Sequence, residues 1–302
     1  MNNIIISLPS KKNFLFFKEN EINGFVIGIE NFSENFNTFI TENELKKVVD
    51  LINRNNYKVY IMLNKMYLNN QIEDLKKLIN KINTLDIEAI IFSDIAVFNI
   101  VKENNYNINL IWHSKMITNS KSINFYEKRG LYGYIATPQI TLDEFIKITK
   151  NTTSKSFIKL FGYTNMATSS RSLISNYFKN FKIKKDSKKK YYMYDKITKD
   201  YYPIIEDEYT NFFSNNVLNG ILEYKKLINN NIDCTIYLDD YMINENQFYN
   251  VLEAFVALKN HSEDEEFAYK LKQVVDSNMF NKTDNGFLNK ETIFKVKKNE
   301  KN

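Results

Sequence analysis

Short runs of β-branched and aliphatic residues alternate along the chain with longer stretches in which apolar residues recur every three or four positions. This is the pattern of parallel strands joined by crossover helices. The predicted strands cover Asn3 to Ser7, Phe25 to Ile29, Lys58 to Leu63, Ala89 to Phe92, Ile108 to Trp112, Gly133 to Ala136, Phe157 to Phe161 and Thr235 to Leu238. Between them, Leu45, Val48, Val49 and Ile52 put one apolar stripe on a helix over Glu42 to Arg54. Thr41 is its N-cap, with Glu44 three residues on to complete a capping box. Ile72, Leu75, Leu78, Ile79 and Ile82 mark a second helix over Gln71 to Leu85, and Thr141 with Glu144 opens a third. Eight strand-helix units predict a single (β/α)8, TIM-barrel-like α/β domain rather than a doubly wound sheet.

The alternation breaks between residues 179 and 215, after the seventh strand. This insertion carries Lys182, Lys184, Lys185, Lys188, Lys189 and Lys190, followed at once by Tyr191, Tyr192 and Tyr194. A barrel domain over residues 1–260 is therefore expected, holding the insertion, with residues 261–302 as a C-terminal helix and polar tail. The final KVKKNEKN is expected to be disordered.

Composition narrows the chemistry. A chain of 302 residues, 43% hydrophobic and 15% aromatic, can bury one large core. The abundance of Asn, Lys, Ile, Tyr and Phe beside only 7 Gly and 3 Pro accounts for part of the net charge of +5, so basicity alone does not point to nucleic acid. One cysteine, Cys234, excludes an intrachain disulfide, a thiolate zinc site and a four-cysteine iron–sulfur cluster held within this chain. It fits a reducing, cytoplasmic setting. The opening MNNIIISLPSKKNF has too short an apolar run for a signal peptide, and no apolar stretch long enough for a membrane span occurs.

Barrel enzymes place their working groups at strand C-terminal ends, where this chain has Glu30, Asn64 and Asp94 after strands two, three and four. Each is a pocket candidate, and each has a second reading as a helix cap or loop tie. His113 follows the fifth strand as a candidate general base or an incidental core histidine. Cys234 reads as a small core hydrophobe, and a cysteine protease would have to pair it with His113 or His261. Asp239 and Asp240 read as a solvated loop before a metal or acid/base pair. The Lys cluster with Tyr191 and Tyr192 combines phosphate-neutralising charge with stacking surface, as single-stranded RNA requires, or is a solvated loop.

The stretch FGYTNMATSSRSLISNYF, residues 161–178, resembles the signature of the collagenase-like peptidase family, family 32 of the U peptidases. That signature runs His-Gly-x-x-Cys, then Ser-x-Arg-x-Leu-x-Ser/Gly-Asn-Tyr. Gly162, Ser170, Arg171, Leu173, Ser175, Asn176 and Tyr177 fit it, whereas Phe161 replaces the His and Asn165 the Cys. Further departures are Lys115 for a Gln, Pro138-Gln139 for Arg-Glu, and CTIYLDD for the last strand's Phe-Lys-Ile-Glu-Gly. The segments holding Asn64, Asn69 and Asp94 also resemble the family. YYMYDKITKDYYPIIEDE and DNGFLNKETIF are similar to the shorter of two paralogues found together in low-GC bacteria.

The resemblance implies a barrel of the tRNA wobble-uridine 5-hydroxylation type, whose better-understood relatives use a cysteine-held iron–sulfur cluster, often as two-protein complexes. It implies a diverged, non-catalytic subunit, with any cluster in a cysteine-bearing paralogue as partner and tRNA as a possible contact. The alternatives are an active peptidase or RNA hydroxylase of the same family, and an RNA-binding module without catalysis. Arg171, retained in the signature, would bind a phosphate or carboxylate, or pair with an internal acid to hold its loop.

Overall fold

Eight parallel strands close on themselves in the computed structural model, which describes residues 2–10, 14–114, 116–186, 190–261 and 264–290. Lys115, Lys188, Lys189 and the terminal KVKKNEKN lie outside the described residues. The barrel strands are β1 (Asn3–Ser7), β2 (Gly24–Ile29), β4 (Lys58–Leu63), β5 (Ala89–Phe92), β6 (Leu110–His113), β7 (Gly133–Ile135), β8 (Lys155–Gly162) and β14 (Thr235–Leu238). They pair in that order and β14 returns to β1, while β8 also pairs with β14 to close the ring. A short β3 (Phe39–Ile40) runs parallel to the end of β2. All eight expected strands are barrel strands, with ends shifted by a residue or two.

Helices α1 (Phe14–Glu19), α2 (Leu45–Arg54), α3 (Ile72–Ile82), α4 (Ile95–Glu103), α5 (Ser120–Glu127) and α6 (Leu142–Lys150) make the successive crossovers. Both expected capping boxes form. Thr141 Oγ1 accepts from Glu144 N at 3.2 Å, and Glu144 returns a carboxylate oxygen to Thr141 N at 3.1 Å. Thr41 and Glu44 make the same exchange at 3.4 and 3.2 Å, although regular helix begins only at Leu45.

Strand alternation sorts the core into two layers. Ile5, Tyr60, Met62, Ile91 and Phe157 point into the barrel, whereas Ile4, Ile6, Val59, Ile61 and Leu63 pack outward against the helices. With both faces buried, the strands are apolar almost throughout, which is why their composition reveals them so clearly.

One irregularity matters for the mouth. Between β8 and β14 the register slips, with Tyr237 opposite Lys159 but Leu238 opposite Phe161. A slip of one residue exchanges the faces of a strand. Lys159, two residues past the inward Phe157, enters the barrel by ordinary alternation, while the slip turns the fully buried Phe161 outward, its ring 6.1 Å from that of Phe248. Gly162 follows at φ 113°, where an added Cβ would lie 2.5 Å from the Asp239 carbonyl oxygen. The signature glycine is thus required by both backbone conformation and space.

The insertion after β8 is a folded unit. β9 (Asn165–Ser169), β10 (Tyr191–Tyr194), β11 (Tyr201–Glu206) and β12 (Thr210–Phe213) form an antiparallel sheet in the order β10, β11, β12, β9, with α7 (Leu173–Asn180) between β9 and β10. The family signature supplies β9 and α7, so signature and insertion build one structure rather than abutting at residue 179. β13 (Val217–Asn219) then returns antiparallel to β8, and α8 (Ile221–Asn229) leads to β14.

The C-terminal region is held more firmly than its polar composition suggests. After α9 (Glu245–Asn260), α10 (Glu265–Asn278) lies against α9 and α8, and β15 (Thr283–Asp284) pairs with β13. Leu142 N donates to Leu288 O at 2.9 Å. Packing therefore continues through the segment expected to be a polar tail, at least to Leu288.

Candidate functional site

The C-terminal ends of the barrel strands open into a cavity of about 590 Å³, within the range of small-molecule sites. Asn64, Asp94 and His113, from three successive strand ends, all line it. Asn64 also clips the β2 loop, accepting from Glu34 N at 2.8 Å and donating to Glu34 O at 3.1 Å. Asp94 caps α4 through Ala96 N at 2.9 Å and accepts from Tyr67 N at 3.0 Å. Both residues thus line the cavity while tying the backbone around it.

Glu30 is a correction. It is exposed, does not line the cavity, and its N–H is paired to Ile40 O at 3.0 Å. The chain turns back after β2, with Asn31 and Asn35 at positive φ, and presents Glu34 instead. Burial pushes the Glu34 carboxyl above its ordinary pKa, outweighing an Asn211 hydrogen bond and the Lys65 charge. Asn211 Nδ2 lies 3.4 Å from Glu34 Oε2, while Asn211 Oδ1 accepts from Asn165 Nδ2 at 2.8 Å and Thr168 Oγ1 at 2.7 Å. The small sheet thereby forms one wall of the mouth, and Asn165, at the family's cysteine position, is an amide inside that wall.

The floor carries charge. Lys159 Nζ lies 2.5 Å from Asp239 Oδ2 and donates to Tyr163 O at 2.6 Å. Asp239 also accepts from Ser7 Oγ at 3.2 Å, and Ser7 Oγ is 2.8 Å from Tyr237 Oη. Asp239 and Asp240 are 7% and 4% exposed, so the solvated-loop reading is wrong. Burial, then the neighbouring Asp239, pushes Asp240 up to about 7. Lys159 and Asn211 escaped the sequence reading, although a single Lys within the apolar run Phe157 to Phe161 was a visible signal.

The remaining candidates separate. Arg171 is exposed, off the cavity, and makes no ion pair among the described residues. The internal acid that holds the signature loop is Glu206, and its cation is Lys185 at 2.7 Å. Lys185 is therefore engaged in structure, as is Tyr191, whose hydroxyl bonds both backbone groups of Asp186 and whose ring lies 5.1 Å from Phe178. Lys182, Lys184, Lys190 and Tyr192 are exposed. Among the positions where family residues are replaced, Asn165 and Pro138 line the cavity, Gln139 is exposed and Phe161 faces the helices.

Cys234 sits just before β14, at the end of the barrel opposite the mouth where His113 lies, and burial pushes its thiol up to about 12. His261 caps the C-terminus of α9, with its ring 5.9 Å from Phe267. The cysteine-protease pairing finds no support. Nor does this single buried thiol fit an iron–sulfur cluster, which is held by several cysteine thiolates. No helix of the described residues is long and apolar enough to cross a membrane.

Comparison with known proteins places the chain in a family. The model of peptidase family U32 matches residues 11–297, and the chain belongs to that family. It is 25% identical over 287 residues to tRNA hydroxylation protein P2 of Bacillus subtilis (strain 168), covering 89% of this chain and 92% of that protein. The structure of the U32 peptidase Mk0906 is similar with a TM-score of 0.49 and 10% identity, over 79% of this chain and 92% of that one. A xylose isomerase domain containing protein of Salmonella typhimurium LT2 is similar with a TM-score of 0.42 and 11% identity, over 86% and 96% of the two chains.

Proposed function

We propose that this chain is the substrate-holding, non-catalytic subunit of a cytoplasmic complex that hydroxylates the wobble uridine of tRNA. A cysteine-bearing paralogue supplies the chemistry and any iron–sulfur cluster. One observation carries the reading: at the mouth the family's cysteine is Asn165, bonded into an Asn211–Glu34 wall, beside a cavity wide enough for a nucleobase. Amides and a carboxyl are suited to binding the polar edge of a base, whereas oxygen insertion needs a redox centre that these groups do not provide. The likeness to tRNA hydroxylation protein P2 supports the choice of substrate.

The test is reconstitution, with tRNA from cells lacking both paralogues as substrate and 5-hydroxyuridine read by mass spectrometry. The two proteins together are expected to form the modified base, and this chain alone to form none. Formation by this chain alone, without iron, overturns the proposal.

A further inference from the structure

The small sheet has two faces, and strand alternation assigns each side chain to one of them. Tyr192 and Tyr194 stand opposite Pro203 and Tyr201, and Ile205 stands opposite Asn211, itself opposite Thr168. Asn211 bonds Glu34, Thr168 lines the cavity and Ile205 packs on the barrel core, so this face looks onto the mouth. The other face carries Tyr191 and Glu206 and is covered by α7.

Beyond the cavity wall the mouth-side face ends in three open rings. Tyr192, Tyr194 and Tyr201 are 52%, 47% and 61% exposed, and the rings of Tyr194 and Tyr201 lie 4.9 Å apart, tilted by 36°. Tyr192 approaches the cavity-lining Tyr163, whose hydroxyl is pushed up to about 12 by burial first and Tyr192 second. Lys190 immediately precedes β10, and the strand's alternation carried back by one residue would put it on this face. It is exposed and makes no ion pair among the described residues, as is true of Lys182 and Lys184 after α7.

We infer that Tyr192, Tyr194 and Tyr201 form a stacking platform for an unpaired RNA strand, with Lys190 on its phosphates, that hands one base into the barrel mouth. Open rings with an exposed cation next to them in the chain match a strand that offers π-faces and negative charge alternately. The inference rests on the RNA reading above but concerns a site outside the cavity.

Its test uses the full chain and a single-stranded hexauridylate bearing one 2-aminopurine, beside a strand of equal length with abasic sites. The expected result is quenching on binding, with Tyr192→Ala and Tyr201→Ala each weakening affinity roughly 5- to 100-fold, and Tyr192→Phe and Tyr201→Phe retaining it. Lys190→Gln should lower the salt slope by about 0.7. Equal binding of the abasic strand overturns the inference, as do Ala variants that melt and bind like the wild type. Ala variants that keep oligonucleotide affinity but lose the paralogue would make this face a protein interface, which also overturns it. None of these readouts depends on uridine hydroxylation, so failure here is distinguishable from failure of the reconstitution.

Discussion

Replacing Glu206 by Gln should loosen the unit that walls the mouth while leaving the barrel folded. The carboxylate of Glu206, whose side chain is 3% exposed, accepts from Ile174 N at 2.6 Å, Ser175 N at 3.1 Å and Lys185 Nζ at 2.7 Å, and from Ser175 Oγ. Burial alone would push this carboxyl up. The bonds from Lys185, Ser175 and Ile174 outweigh it and hold the group at about 2, against an ordinary 4.5. At about 1.4 kcal/mol per unit, that depression corresponds to about 3 kcal/mol of stability that exists only while the group is charged. A glutamine of the same shape forfeits most of it, because the open N–H groups of α7 and the Lys185 ammonium then lose their anion.

Hydrogen exchange read residue by residue is the assay. A loss of about 3 kcal/mol should speed exchange of the α7 amides by roughly 100-fold, whereas barrel amides such as Ile61 and Ile90 should change little. The pH dependence has a definite sign. A carboxyl depressed in the folded state contributes fully above its unfolded pKa, so the difference between wild type and variant should be constant above about pH 4.5. It should shrink as pH falls through the folded value near 2. Unchanged α7 exchange in the variant at neutral pH, or a difference that grows on acidification, would refute the reasoning.

Three further outcomes follow from the same geometry. Lys159→Met strands Asp239 at the cavity floor, where the paired side chains are 13% and 10% exposed, and should cost about 3–5 kcal/mol in urea unfolding; pairing it with Asp239→Leu should recover much of this. Gly162→Ala places a Cβ against the Asp239 carbonyl at φ 113° and should destabilise by about 2 kcal/mol or more, so wild-type stability in that variant would dismiss the steric argument. Cys234→Ala should leave every activity intact at a cost of about 1 kcal/mol, and the native thiol should resist alkylation at neutral pH because its pKa is raised to about 12.

The barrel was legible because each of its strands is buried on both faces and each helix on one. Ile4, Ile5 and Ile6 must all be apolar although their side chains go to different layers, and the stripe of Leu45, Val48, Val49 and Ile52 has no other use. Caps at Thr41 and Thr141 were readable for a similar reason, since their donors and acceptors lie three residues apart. The pairing of β15 left no trace in the polar C-terminal segment, because it is tied through two backbone pairings and a few side chains, Leu288 among them, rather than through a hydrophobic period.

The mouth was less legible because position along a strand does not fix direction at its end. Glu30 follows β2 as regularly as Asn64 follows β4, yet a turn through two left-handed asparagines delivers Glu34 to the cavity. Phe161 occupies a signature position, but a single register slip turns it to the helices and leaves Lys159 as the side chain that enters the barrel. Asn165 acquires its meaning only from Asn211, 46 residues later, across a sheet whose strands come partly from the signature and partly from the insertion. The signature segment is therefore best understood as one half of the mouth's wall. With an amide where the family signature has a cysteine, that wall presents hydrogen-bonding groups in place of a thiol, while Gly162 and Glu206, which position it, remain under the full constraint of backbone geometry and burial.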